Sequence, residues 1–208
     1  MNPSINPDQI KDYFRQKLET YGATPRGADW NSQQSQSTRF DQLAKVIQPG
    51  EEFSINDYGC GYGALYDYLV DQGYACRYFG YDLLEPMVQR AREAHKDSQN
   101  CRFTSTESEL PTADYTLASG IFNIRFDYSH SEWTDYLLKI LDRVDQLSHK
   151  GFAFNMLTKY SDTEYMRPHL YYADPCFIFD HCKTHYSRNV ALLHDYELYD
   201  FTILVRKS

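Results

Sequence analysis

The sequence lacks any Cys-x-x-Cys pair, although its 208 residues include five cysteines. An odd number of thiols without that spacing argues against a disulfide framework and against a zinc site. The Cys-x-x-x-Cys-x-x-Cys run that holds a radical-generating iron–sulfur cluster is also missing. No apolar stretch approaches the roughly 20 residues needed to cross a bilayer. The opening MNPSINPDQIKDYFRQ contains no hydrophobic signal segment. These absences lead us to expect a cytoplasmic protein with buried free thiols, no metal and no membrane association. Positive charge is scarce too: 21 Lys and Arg stand against 29 Asp and Glu, a net charge of −8. A negative surface repels phosphate backbones, so a large nucleic-acid partner is not expected. What the chain has in excess is tyrosine, 19 residues, many of them after position 158.

The length suits one α/β domain (51–208) preceded by an N-terminal helical extension (1–50). Pro7 and Asp8 supply a helix start, and Ile10, Tyr13, Phe14, Leu18 and Tyr21 form a stripe that predicts a helix over 7–21. A polar loop containing Trp30 follows. A second helix is predicted over 38–48, closed by Pro49 and Gly50. From Phe53 onward the pattern alternates regularly. Strands are predicted at 53–57, 76–82, 101–104, 114–119 and 151–157, with helices at 63–72, 85–96, 131–148 and 174–184. Ser129 and Glu132 form a capping box before the long helix. Two further strands, 190–194 and 199–205, are joined by too short a link for a parallel crossover. They must pair antiparallel.

The densest signal lies at the end of the first predicted strand, in Asp57-Tyr58-Gly59-Cys60-Gly61-Tyr62-Gly63. Alternating glycines permit a sharp turn close to a ligand, with a helix N-terminus directed at the same place. The second predicted strand ends in Asp82, where an acid in a βαβ unit grips ribose hydroxyls. Together these residues imply a nucleoside-containing cofactor.

The pattern Asp57-x-Gly59-x-Gly61-x-Gly63 followed by Asp82 resembles the cofactor motifs of class I S-adenosylmethionine-dependent methyltransferases, over a span from about Phe53 to Arg206. That resemblance implies a Rossmann-like, seven-stranded, mostly parallel sheet with an antiparallel last strand, helices on both faces and an N-terminal helical lid. It implies S-adenosyl-L-methionine as cofactor and methyl transfer by direct displacement to a small-molecule acceptor. Gly59, Gly61 and Gly63, with Tyr58 and Cys60 between and beside them, would pass under the methionine and ribose portions. Asp82 and its neighbour Leu83 would meet the ribose, and Asp57 would meet the methionine amino group or order the loop. Glu107 is either a partner of the adenine edge or a solvated loop acid. Ser119, Gly120 and Phe122 resemble the segment that closes over the sulfonium, although Phe122 also suits plain core. In the extension, Tyr21 and Trp30 are lid candidates. Arg39 is either a fork for the cofactor's carboxylate or a surface arginine.

A dinucleotide oxidoreductase is the competing reading, since Gly59, Gly61 and Ala64 satisfy the looser G-x-G-x-x-G/A pattern. The acid before the first glycine, the early third glycine and the reversed last strand favour the methyltransferase. A cofactor-binding protein without turnover would carry the same motif. On the acceptor side, residues 155–172 and His194 are expected at the carboxyl ends of the later strands. His169 and His194 are the candidate bases for an acceptor that arrives protonated, or else packing residues.

Overall fold

The computed structural model describes residues 5–48, 50 and 52–207. Pro49, expected to close the second helix, lies outside them. Helix α1 (Pro7–Tyr21) begins as the sequence requires: the Asn6 side chain accepts from the Asp8 N–H and proline occupies the first turn. Helix α2 (Gln33–Ala44) begins earlier than the expected position 38. Ser32 and Ser35 cap each other reciprocally, a capping box built without the usual Glu or Gln.

Seven strands follow: β1 (Phe53–Tyr58), β2 (Cys76–Tyr81), β3 (Cys101–Thr104), β4 (Ala113–Ala118), β5 (Ser148–Leu157), β6 (Asn189–Leu193) and β7 (Asp200–Arg206). They form one sheet in the order β3-β2-β1-β4-β5-β7-β6. Neighbours among the first five strands are parallel, and β7 runs antiparallel to both β5 and β6. The short link between the last two strands therefore does what chain geometry demanded. Strand β5 starts at Ser148 rather than 151, pairing with Ala113 across a register irregularity between Ala113 and Tyr115.

The intervening helices are α3 (Ala64–Asp71), α4 (Glu85–Ala94), α5 (His130–Gln146) and α6 (Pro175–His185). Apolar residues on both faces of the sheet need cover, and the chain supplies two cores. On one face Leu43, Leu65, Leu69 and Val88 pack against Ile55 and Tyr78. On the other, the stripe Trp133, Leu137, Leu141 and Val144 of α5 packs with Phe152, Phe154 and Ile203. The Ser129–Glu132 capping box forms at the start of α5 as expected. Helix α2 packs on β5 and β7, so the beginning of the chain is seated on its end. The strand order reverses between β1 and β4. The crevice beyond their carboxyl ends is where an open α/β sheet takes its ligand.

Candidate active site

The turn after β1 is tight because three of its residues have positive φ: Gly59 at 90°, Gly61 at 53° and Gly63 at 91°. Each lacks a side chain for a different reason. A Cβ on Gly59 would lie 2.2 Å from Ile121 Cγ2, so the turn and the 119–124 segment touch directly. A Cβ on Gly63 would meet His95 and Phe103 beneath the turn, and Gly63 caps α3 rather than lining the crevice. At Gly61 no atom lies within 4 Å of that position; there the backbone faces open space.

Most N–H groups of this turn are engaged within the chain. Gly59 and Cys60 both donate to the Tyr81 carbonyl, at 2.7 and 2.8 Å, and Gly63 donates to the Cys60 carbonyl at 3.0 Å. Gly61 donates to Asp82 Oδ2 at 2.9 Å. The turn is therefore stiffened by its own hydrogen bonds. It offers a ligand close approach more than donors.

Asp82 is the hinge of that arrangement. Its Oδ1 accepts from the Leu84 N–H at 2.9 Å while Oδ2 holds Gly61, which leaves lone pairs on both oxygens. Burial raises its pKa, and the two backbone donors pull it back down. Asp57 is more deeply enclosed. It accepts a 2.5 Å hydrogen bond from the Tyr78 hydroxyl, and burial together with the charge of Asp82 pushes its pKa up to about 7, against the Tyr78 bond. A buried carboxyl held in that condition is poised to ionise when a cation arrives.

A cavity of about 520 Å³ opens from this turn, within the range of small-molecule and cofactor sites. Of the residues singled out in the sequence, Asp57, Tyr58, Gly59, Cys60, Gly61, Asp82 and Leu83 line it at the ends of β1 and β2. Glu107, Ser119, Gly120 and Phe122 line it after β3 and β4, and Trp30, Arg39 and His169 also face it. Glu107 is engaged by Arg143 Nε at 2.7 Å. Tyr21 and His194 do not line the cavity. Tyr21 lies in the last turn of α1, beyond the cavity, and is 46% exposed. His194 follows β6, the outermost strand, which β7 and β5 separate from the switch point; its ring packs on Tyr160 and Phe201 instead.

Arg39 is neither a surface arginine nor a free one. Its guanidinium pairs with Asp200, the first residue of β7, and both side chains are buried. Nη1 donates to the Ser35 carbonyl at 2.8 Å, and the guanidinium lies 4.6 Å from the centre of the Trp30 ring. The ring in turn fills the space over Gly120, where a Cβ would stand 2.2 Å from it. Arg39 Nε and Ser119 Oγ are buried without a hydrogen-bond partner, and both residues belong to the cavity wall. Orphaned polar atoms of this kind call for a ligand.

Sequence reasoning missed a second cluster. Tyr13 donates from its hydroxyl to Asp29 Oδ2 at 2.8 Å, and Lys17 Nζ sits 2.6 Å from Asp29 Oδ1. All three line the cavity, on the α1 side. The i, i+4 spacing of Tyr13 and Lys17 was visible. That a loop aspartate in the left-handed region (φ 63°) would reach both was not. Tyr62, between the turn glycines, was also not singled out; its hydroxyl donates to Gln36 Oε1 at 3.1 Å.

The strand order, the single reversed strand and a crevice at the switch point define a Rossmann-like fold of the methyltransferase type. A family model described as a methyltransferase domain matches residues 55–146. The chain is 48% identical over 164 residues to "Putative methyltransferase Rv1506c" of Mycobacterium tuberculosis (strain ATCC 25618 / H37Rv), a match covering 79% of this chain and 99% of that protein. Among solved structures it is similar to magnesium protoporphyrin IX methyltransferase (ChlM) from Synechocystis PCC 6803 with bound SAH. The TM-score is 0.69 at 16% identity, covering 98% of this chain and 100% of that one. It is also similar to the N-methyltransferase NodS from Bradyrhizobium japonicum WM9 in complex with S-adenosyl-L-homocysteine, with a TM-score of 0.65 at 13% identity, covering 95% and 97%. The chain belongs to the class I S-adenosylmethionine-dependent methyltransferases.

Proposed function

We propose that this enzyme transfers a methyl group to a small-molecule acceptor that enters the α1 end of the cavity. The observation that carries the reading is continuity: one cavity runs from the glycine turn and Asp82 to the inner side of α1. The net charge of −8 disfavours a phosphate backbone as the acceptor.

S-adenosylmethionine, when bound, supplies an electrophilic methyl group on a sulfonium. The chain's own residues hold the reactants and exclude water. Asp82 would accept from the ribose hydroxyls with its remaining lone pairs. Arg39 would present its unpartnered Nε to the methionine carboxylate, and Ser119 its hydroxyl to the same end. Asp57, ionised, would face the amino group. Glu107 and the adjacent Tyr58, Tyr81 and Tyr136 would surround the adenine. His169 stands exposed at the rim, its ring bonded to no other described residue. It is the base we assign when the acceptor arrives protonated, taking the proton on a ring nitrogen.

Calorimetry with S-adenosylhomocysteine tests the cofactor half, and formation of S-adenosylhomocysteine from S-adenosylmethionine against a panel of phenols, amines and carboxylates tests the acceptor half. Stabilisation by a nicotinamide nucleotide in place of S-adenosylhomocysteine would overturn the proposal in favour of an oxidoreductase. Cofactor uptake without product from any acceptor class would reduce it to a binding protein.

A further inference from the structure

The cavity's two ends differ in chemistry. Toward α1 its wall is made by Ile10, Phe14, Ile124, Leu157 and Leu170, with Ile10 packed on the core behind β4 and β5. The charged groups at this end, Lys17 and Asp29, cancel each other at 2.6 Å. Asn123, nearby, has its amide oxygen committed to the Leu157 N–H at 3.1 Å. A charged acceptor group buried beside this ion pair would give up its hydration and find neither Lys17 nor Asp29 free to balance it.

Besides His169 at the rim and the amide nitrogen of Asn123, Tyr13 is a polar group left to face an occupant. Burial, with the hydrogen bond and charge of Asp29, pushes its pKa up to about 12, so it stays an uncharged phenol. Its own proton goes to Asp29 and Lys17 also bonds the hydroxyl, which leaves the oxygen's remaining lone pair as an acceptor. The ring is clasped as well: Phe126 meets it edge-on at 5.7 Å and 81°. Asp29 and Phe126 are the two non-glycine residues with positive φ among the described residues, at 63° and 53°. Side chains rarely adopt that conformation, and such strain gathers where a group must be held in place. Both strained residues grip Tyr13.

We propose that the methyl acceptor is an uncharged, largely apolar molecule carrying a hydroxyl, which it donates to the Tyr13 oxygen. The proposal rests on the methyltransferase reading above, and Tyr13 acts in it as a positioning residue.

The test measures binding to the full-length protein saturated with S-adenosylhomocysteine. Three probes share a phenol ring and differ in the tail: 4-ethylphenol, 4-hydroxyphenylacetate and tyramine. We expect 4-ethylphenol to bind at least about tenfold more tightly than either charged probe. Tyr13→Phe should weaken 4-ethylphenol by about fivefold and leave S-adenosylhomocysteine binding unchanged. Asp29→Asn frees the Lys17 charge and should raise affinity for 4-hydroxyphenylacetate; Lys17→Met frees Asp29 and should raise affinity for tyramine. Equal or tighter binding of a charged probe by the unaltered protein overturns the proposal, as does failure to bind 4-ethylphenol while S-adenosylhomocysteine is held. If S-adenosylhomocysteine itself does not bind, the cofactor reading fails and takes this inference with it.

Discussion

The glycine turn and helix α1 face each other across one cavity and are built on opposite plans. In the turn, the four backbone donors of Gly59, Cys60, Gly61 and Gly63 are all engaged, and its neighbours Asp57 and Cys60 are buried. In α1 no residue is buried, and the helix is tied down through Tyr13 and Lys17 on Asp29 and through the Asn6 N–H on the Tyr128 hydroxyl at 2.9 Å. One side is pre-organised, so binding there costs little ordering. The other is held by a few exchangeable contacts, the kind that open locally without unfolding the domain. The division suits an enzyme that must hold one ligand in a fixed pose and admit a second.

The contrast can be broken most severely at Arg39. Arg39→Ala leaves Asp200 buried without its counter-charge, and we expect about 3–5 kcal/mol of lost stability in urea melts. Cofactor affinity should also fall by about tenfold or more, the worth of a charge-assisted hydrogen bond. Arg39→Met combined with Asp200→Leu should recover most of the stability and none of the affinity, separating the two roles. Unchanged cofactor affinity in Arg39→Ala would remove Arg39 from the site. Next comes Asp82→Ala, which orphans the Gly61 and Leu84 N–H groups and removes the acceptor we propose for the ribose. Calorimetry should show S-adenosylhomocysteine binding weakened by about 100-fold.

The pH dependence follows from Asp57. Its folded pKa of about 7 lies above the ordinary 3.8. Between those values the native protein keeps a proton that the unfolded chain has released. Asp57 therefore makes stability decline as pH rises through that window and level off above about 7. Affinity for a cationic cofactor should move the other way, rising about tenfold between pH 6 and pH 8 as Asp57 ionises. Asp57→Asn should flatten both profiles; a retained pH slope would place the titration elsewhere. The smallest effect is expected at α1. Tyr13→Phe removes one hydrogen bond from a half-buried helix, about 1 kcal/mol or less in thermal melts. A larger loss would mean that α1 is as firmly built in as the turn opposite.

The legible parts of the chain were those whose signals are local. Strand and helix alternation, the turn glycines, Asp82 and the Ser129–Glu132 cap each declare themselves within a few residues. What escaped depended on the third dimension. Strand β6 looks like any other in sequence, and only its place outside β7 shows that His194 ends far from the switch point. Tyr21 continues the spacing of Ile10, Tyr13 and Lys17, but the cavity ends a turn earlier. Gly63 belongs to the glycine motif yet makes room for Phe103 and His95 behind it. Asp29 looked like one polar residue among many, because neither its backbone conformation nor its two partners are written nearby.

The pairing of Arg39 with Asp200 has a consequence for the order in which the site is assembled. A helix that precedes the first strand seats on the seventh, so one wall of the crevice is closed by a contact far apart in sequence. Contacts this remote form late and slowly. The glycine turn is built between the neighbouring β1 and β2, whereas Arg39 and, through it, Trp30 are anchored only once β7 has paired. Competence to hold a ligand therefore comes at the end of folding.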